Sequence, residues 1–113
     1  MRRMGLSLRW AKLWQPEFTT FRTPRKDKDW FVGEKVRVVF QPRSKNRQPL
    51  FLAEIVAKEP KTFDKITSAE AIADGFSGII TMWAFLENSH PRFKASTPLN
   101  KLTLKRQEFH DDR

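Results

Sequence analysis

The sequence predicts an α+β fold, a small mixed β-barrel with two short helices inserted before its last strand. Short segments that alternate apolar and polar residues, as half-buried strands do, come first. Two stretches with helical spacing follow them, and one further alternating segment ends the pattern. The helices come after several short strands instead of alternating with them along the chain. This order favours a mixed barrel over a sheet in which strands and helices alternate. The 113 residues, 39% of them hydrophobic, suffice for one core. We therefore expect a single domain over residues 1–106 and a polar tail over residues 107–113.

Four strands are predicted before the helices. Alternating polarity with β-branched and aromatic residues identifies them, and Gly33 marks the turn before the third. Residues 42–49 are polar and bounded by prolines, so we expect them to form the tip of a hairpin between the third and fourth strands. The predicted strands are Gly5–Trp10, Glu17–Arg22, Lys35–Gln41 and Leu50–Ala57.

The first helix is marked by its caps. Thr67 and Glu70 form a capping box, in which the Thr67 hydroxyl accepts a hydrogen bond from the Glu70 amide. The helix is expected to run to Asp74, with Gly75 as its left-handed C-terminal residue.

A second helix, capped by Ser77, is predicted to extend to about Asn88, before Pro91. Its apolar residues recur at helical spacing, so we expect them to lie in the core. The alternating segment Leu99–Lys105 is the predicted closing strand. The expected core residues of the second helix are Phe76, Ile79, Ile80, Trp83 and Leu86.

The excess positive charge lies in the first half of the chain. The formal net charge is +9, and residues 1–47 contain 13 Lys/Arg and 4 Asp/Glu, whereas residues 48–113 contain 9 of each sign. Basic surfaces commonly contact phosphate backbones, because Lys and Arg release the counterions condensed there. A nucleic acid, RNA or DNA, is therefore the predicted partner. A solvated basic face without a partner stays open.

Several other classes of protein are not indicated. No apolar run approaches the about 20 residues that span a bilayer, and no apolar stretch follows the basic N-terminus as in a signal peptide. We therefore expect a cytoplasmic protein that contacts no membrane. Cysteine is absent and the only histidines are His90 and His110, which disfavours thiol catalysis and metal sites. There is no Gly-rich phosphate loop. We predict no metal and no cofactor.

One group of residues in the first half has the chemistry of nucleic-acid recognition. The hydroxyls of Thr19 and Thr20 can donate hydrogen bonds to base edges and accept them. Arg22 can form a bidentate hydrogen bond with a phosphate or a base, and Trp30 offers a ring on which a base could stack. The alternative places Trp30 in the core and Arg22 in a surface ion pair. The three cations of the predicted hairpin tip fit a solvated loop as well as a phosphate contact. The cations predicted to contact phosphate are Lys26, Lys35, Arg37, Arg43, Lys45 and Arg47.

The chain resembles the ASCH domain over most of residues 5–106. The most specific segment is ITSAEAIADGF at residues 66–76, which is similar to the family pattern I-T-x-x-x-A-x-x-E/D-G-F. AFLENSHP at residues 84–91 fits the family's helix ending, and Pro98–Lys105 fits its final strand. The run Glu17–Arg22 and the turn Trp30–Gly33 with its following strand also match in order and spacing.

The resemblance implies a PUA-like β-barrel with a cleft beside the inserted helices that takes RNA or modified nucleosides. In the family's first motif, roughly G-x-K-x-x-E/T-x-R, Thr20 and Arg22 match, while Gln15 replaces the glycine and Glu17 the lysine. Members that look like amidohydrolases of acylated cytidine use that lysine, the threonine and an acidic residue before the helix-end glycine. Thr20 and Asp74 match the last two roles. Glu17 is the remaining candidate base, because a Thr hydroxyl is a poor nucleophile unaided.

Three functions follow as hypotheses. The leading one is an RNA-binding module with a basic cleft. The second is a hydrolase, either of the N4-acylcytidine amidohydrolase type or a ribonuclease, with Thr20, Glu17 and Asp74 as candidate catalytic residues. The third is an interaction module whose basic face binds an acidic protein. The replacement of the family lysine by Glu17 favours binding over catalysis.

Overall fold

The computed structural model describes residues 2–6, 15–40 and 48–107. These ranges form a five-stranded mixed sheet and two helices, which confirms the predicted α+β class. The elements are β1 (Arg2–Leu6), β2 (Glu17–Arg22), β3 (Lys35–Phe40), β4 (Gln48–Thr62), a 3₁₀ turn (Phe63–Lys65), α1 (Ser68–Ala73), α2 (Ile79–Ser89) and β5 (Pro98–Arg106). The strands lie in the order β1-β3-β4-β5-β2, with β1 and β3 parallel and the other neighbours antiparallel.

The two edge strands, β1 and β2, do not pair with each other in the part of the chain that the structure describes. The sheet is therefore open, and the predicted barrel is not confirmed. One side chain crosses between the edges, because Arg22 Nη2 on β2 donates to the Gly5 carbonyl of β1 at 2.9 Å. The sheet must curl for its edges to come within reach of one arginine. We call the gap between β1 and β2 the seam.

Apolar residues on the two faces of the sheet form separate cores. Phe18 and Phe21 are three residues apart on β2, so they point to opposite faces and belong to different cores. We call the face of Phe18 the inner face and that of Phe21 the outer face. The inner core consists of Met4, Phe18, Trp30, Val36, Val38, Phe51, Ala53, Ile55, Leu102 and Leu104. The outer core, which the helices cover, consists of Phe21, Ile66, Ala71, Phe76, Met82, Leu86, Phe93 and Leu99.

The strands differ from the prediction mainly in their bounds. β2 has the predicted bounds, and β5 is one residue longer at each end. β1 begins at Arg2, whereas residues 7–10 of the predicted first strand lie outside the described residues. β4 continues to Thr62 rather than Ala57, because its antiparallel ladder with β5 runs on to Pro98. Of the predicted hairpin tip, residues 42–47 lie outside the described ranges, and residues 48 and 49 belong to β4.

The first helix has the predicted caps. The Thr67 side chain accepts from the Glu70 amide while the Glu70 carboxylate accepts from the Thr67 amide, and Asp74 is the C-cap residue. Gly75 adopts a φ of 111°, and Gly33 in the turn before β3 adopts a φ of 94°. Both are left-handed conformations that favour glycine.

The second helix starts one residue later than predicted, because Gly78 rather than Ser77 is its N-cap residue. Ile80 was expected in the core, but 81% of it is exposed, so that prediction is wrong. Met82 and Leu86 define the buried side of α2. Ile80 precedes Met82 by two residues, which places it on the opposite side of the helix. Neither α1 nor α2 has the length and apolar character that crossing a membrane requires.

Glu70 fastens α1 to the sheet. Besides capping the helix, its carboxylate accepts from Lys61 Nζ of β4 at 2.7 Å and from Lys101 Nζ of β5 at 2.8 Å. Desolvation opposes ionisation of this carboxyl group, but the hydrogen bonds from Lys101 and Lys61 outweigh it and lower the pKa of Glu70 to about 2. The ionised form of Glu70 therefore stabilises the fold.

Acid is expected to weaken the fold through Glu70. Because its pKa is about 2 in the folded protein against an ordinary value of 4.5, its contribution is complete above pH 4.5 and is lost as the pH falls towards 2. Glu70→Gln should therefore give a smaller decrease of the free energy of unfolding across this window than the wild type, measured by urea denaturation. The exposed Glu87→Gln on α2 removes the same charge and should keep the wild-type decrease. Equal pH dependence of Glu70→Gln and wild type would contradict this role.

Candidate functional site

Thr20 and Arg22 meet at the seam on the inner face of β2. The two residues alternate with Phe21 and so share a face with Phe18. Arg22 Nε donates to Thr20 Oγ1 at 3.3 Å, and Arg22 Nη2 donates to the Gly5 carbonyl at 2.9 Å. A guanidinium group has five N–H donors, and among the described residues Arg22 uses only these two groups as donors. Arg22 thus offers further donors at the opening between the edge strands.

The electrostatic environment of Arg22 is unusual for an arginine. Burial lowers the pKa of Arg22 to about 10, and the nearby negative charge of Asp74 opposes this decrease. The guanidinium is therefore charged at neutral pH, but it has lost much of its hydration. Interactions of a partly desolvated cation with hydrogen-bond acceptors are stronger than those of a cation in bulk water.

Asp74 supplies the acceptor of the same site. It follows α1 directly, is only 5% exposed, and accepts a long hydrogen bond of 3.4 Å from Thr19 Oγ1. Thr19 lies on the outer face of β2, opposite Thr20. Asp74 therefore lies beside the free edge of β2, where it contacts an outer-face residue and still acts on the charge of Arg22. We call Thr19, Thr20, Arg22, Asp74 and the Gly5 carbonyl the seam cluster.

Glu17 lies apart from the seam cluster. It is exposed at the opposite end of β2 and is the register neighbour of Lys105. Since it is three residues from Thr20, its side chain points to the other face of the sheet. Asp74 hydrogen-bonds to Thr19 and not to Thr20. The three candidate catalytic residues are thus not brought together, and Glu17 is not placed to take a proton from the Thr20 hydroxyl.

Trp30 lies in the inner core, which is the alternative stated for it above. Only 4% of it is exposed. The guanidinium carbon of Arg2 lies 4.4 Å from its ring centroid and that of Arg25 lies 5.5 Å away, so both are cation–π contacts. Arg2 is itself fixed by two hydrogen bonds of 2.6 Å to the Glu34 carboxylate. Trp30 therefore offers no exposed face to a base, and we do not retain its stacking role.

Asp29, which the sequence did not single out, anchors the loop before Trp30. Its carboxylate accepts from Lys58 Nζ at 2.9 Å, from Asn100 Nδ2 at 3.0 Å and from the backbone amides of Trp30 and Arg25. Desolvation opposes ionisation, but the hydrogen bonds from these groups outweigh it and lower the pKa of Asp29 to about 2. Its side-chain partners, Lys58 and Asn100, are 29 and 71 residues away in the chain. No local sequence pattern therefore predicts this network.

The predicted phosphate-contacting cations fall into two groups. Lys26, Lys35 and Arg37 are exposed, the first in the loop after β2 and the other two on the outer face of β3. Arg43, Lys45 and Arg47 lie outside the described residues. Arg3 was missed as a candidate, because the predicted first strand began two residues after it. It is exposed on β1 beside Arg37.

A surface depression of about 490 Å³ lies beside Pro24, between the ends of β4 and β5. None of the seam cluster lines it. Of its polar groups, the Lys61 ammonium donates to Glu70, the Thr62 hydroxyl to Asp64 and the Asn100 amide to Asp29, while Lys65 is exposed. The depression is therefore a surface feature separate from the seam cluster.

The seam cluster contains donors and acceptors of hydrogen bonds. Within residues 2–6, 15–40 and 48–107, no three His, Asp or Glu side chains cluster as metal ligands do. No family model matches the chain, and neither a curated protein nor a solved structure matches it. The functional conclusion therefore depends on the chemistry of the seam cluster and on the charge of the surface around it.

Proposed function

We propose that the protein binds single-stranded RNA and holds an unpaired base at the seam. The observation that carries this proposal is the seam cluster, in which the partly desolvated Arg22 guanidinium donates to Thr20 on the inner face of the edge strand β2, while the buried Asp74 carboxylate accepts from Thr19 on its outer face. Base edges present donors and acceptors side by side, so a site with both kinds of partner suits them. Sequence-specific RNA recognition mostly uses such unpaired bases.

The charge of the chain supports the same partner. Residues 1–47, which include β1, β2 and β3, carry the whole excess of +9. Two of these strands border the seam, so an RNA strand at the seam would cross the most basic part of the molecule. The proposal includes membership of the ASCH-type, PUA-like group, since that resemblance implies RNA or nucleoside ligands.

Hydrolysis receives less support from the geometry. A nucleophilic threonine needs a base that removes its proton. Thr20 Oγ1 instead accepts a hydrogen bond from the Arg22 cation, and a cation does not act as that base. The Thr19 hydroxyl does donate to the Asp74 carboxylate, but this hydrogen bond is long, at 3.4 Å. We therefore treat turnover of acylated nucleosides as an outcome that would redirect the proposal.

Fluorescence anisotropy with labelled single-stranded RNA, hairpin RNA and duplex DNA, each over a range of salt concentrations, tests the proposal. We expect the single strand and the hairpin loop to bind more tightly than the duplex, because only they present an unpaired base. Log affinity should fall linearly with log salt concentration. No binding at low salt, or equal affinity for all three nucleic acids, would overturn the proposal. Turnover of acylated cytidine that Thr20→Ala abolishes would replace binding by hydrolysis.

A further inference from the structure

Two arginines lie side by side on the outer face of the sheet. Met4 of β1 and Val36 of β3 are buried in the inner core. Arg3 directly precedes Met4 and Arg37 directly follows Val36, so both arginines point to the outer face. Both are exposed, and they are direct register partners on the parallel strands β1 and β3. Neighbouring strands are about 4.8 Å apart, so the two guanidinium groups occupy one small area.

Neither arginine of this pair forms an ion pair among the residues that the structure describes. Their next register neighbour is Leu52 of β4, and Glu54, an acidic residue of this face, is the direct register partner of Lys35. Like charges directly opposite on neighbouring strands destabilise a sheet. The pair therefore has an unfavourable self-interaction that a bound anion would relieve.

A second row on the same face shows the opposite arrangement. Lys35, Glu54, Lys105 and Glu17 are successive register neighbours across β3, β4, β5 and β2, and their charges alternate in sign. The outer face thus balances the charges of one row and leaves two positive charges together in the other. The difference between the rows marks Arg3 and Arg37 as the anion-binding part of this face.

We propose that Arg3 and Arg37 bind a phosphate group of the RNA backbone next to the seam. This inference rests on the proposed function, since it names the backbone contact of the same RNA strand. Arg3 and Gly5 are two residues apart on β1, which is about 6.6 Å along a strand. Gly5 accepts the hydrogen bond from Arg22, so the arginine pair lies beside the seam cluster. A planar guanidinium group can donate two parallel hydrogen bonds to the oxygens of one phosphate, a geometry that an ammonium group does not offer.

The test compares the two rows by substitutions of equal charge. Arg3→Gln and Arg37→Gln should each weaken binding of single-stranded RNA about 5-fold near 0.1 M salt, and together about 25-fold, because each lost phosphate contact lowers the salt slope by about 0.7. The matched control Lys105→Gln removes one positive charge from the balanced row. We expect it to change the affinity less than about 2-fold and to leave the slope unchanged. Circular dichroism checks that every variant is folded.

The outcomes separate this inference from the proposed function. If the wild type binds the RNA but the double variant behaves like the Lys105→Gln control, the phosphate site is wrong and the RNA-binding proposal stands. If the wild type binds no RNA at any salt concentration, both fail. If the double variant loses binding of a poly-glutamate peptide but keeps the RNA affinity of the control, the pair belongs to an acidic protein partner instead.

Discussion

Trp30→Ala is expected to lower the free energy of unfolding by about 3–5 kcal/mol, the range typical of truncating a buried large aromatic side chain. Trp30 is 4% exposed and belongs to the inner core, to which all five strands contribute residues. Its removal would leave a cavity that these strands cannot fill without breaking their ladders. It would also remove the ring on which Arg2 and Arg25 lie. Chemical denaturation followed by far-ultraviolet circular dichroism measures the effect.

Two further variants separate the loss of packing from a general aromatic effect. Trp30→Phe keeps a ring in the core and should recover more than half of the stability lost in Trp30→Ala. Phe31→Ala truncates the neighbouring aromatic residue, which is 44% exposed, and should cost less than about 1 kcal/mol. A Trp30→Ala variant with wild-type stability but weakened RNA binding would contradict the core assignment and restore the base-stacking hypothesis.

The parts of the fold that the sequence predicts correctly depend on local rules. The capping box at Thr67 and Glu70 and the left-handed Gly75 involve residues within one helical turn, and β2 has the alternation of a half-buried strand. The second helix shows where local periodicity is insufficient. Ile80 has an apolar side chain at a plausible spacing, but the packing of α2 buries Met82 instead.

The parts that the sequence did not predict depend on distant partners. The last residues of β4 are mostly polar, so their sequence does not predict a strand. Pairing with β5 stabilises the strand there, as do the ion pairs of Lys58 with Asp29 and of Lys61 with Glu70. In the same way, the adjacency of Arg3 and Arg37 arises from parallel pairing of residues 34 positions apart.

The candidate site was predictable to a limited extent. Thr20 and Arg22 share a face because they are two residues apart, which the strand pattern of β2 already implies. The proximity of Asp74 to this strand was suggested only by the resemblance to the ASCH domain. Composition left Trp30 undecided between core and surface, since an apolar ring suits both. The three-dimensional arrangement places it inside.

Arg22→Met is expected to weaken binding of single-stranded RNA about 10- to 100-fold, because a hydrogen bond to a charged group contributes about 1.5–3 kcal/mol. The methionine keeps an unbranched side chain over the length of the aliphatic part of arginine, so that part of the inner face stays filled. The loss of the contact to the Gly5 carbonyl will also reduce stability, so affinity is measured at a temperature where denaturation curves show the variant folded. Asp74→Asn serves as its partner variant, because it removes the acceptor charge from the same cluster.

The dependence on base and on salt decides what Arg22 contacts. If Arg22 binds a base edge, Arg22→Met should reduce the affinity differences among four homopolymeric RNAs and leave the salt slope nearly unchanged. Arg37→Gln should do the reverse, since a phosphate contact weakens all sequences alike and lowers the slope. Arg22→Lys keeps the charge but loses the planar fork, so it should fail to restore base discrimination. A uniform loss with a lowered slope in Arg22→Met would assign Arg22 to the backbone, and the seam would then be a second phosphate site rather than a base pocket.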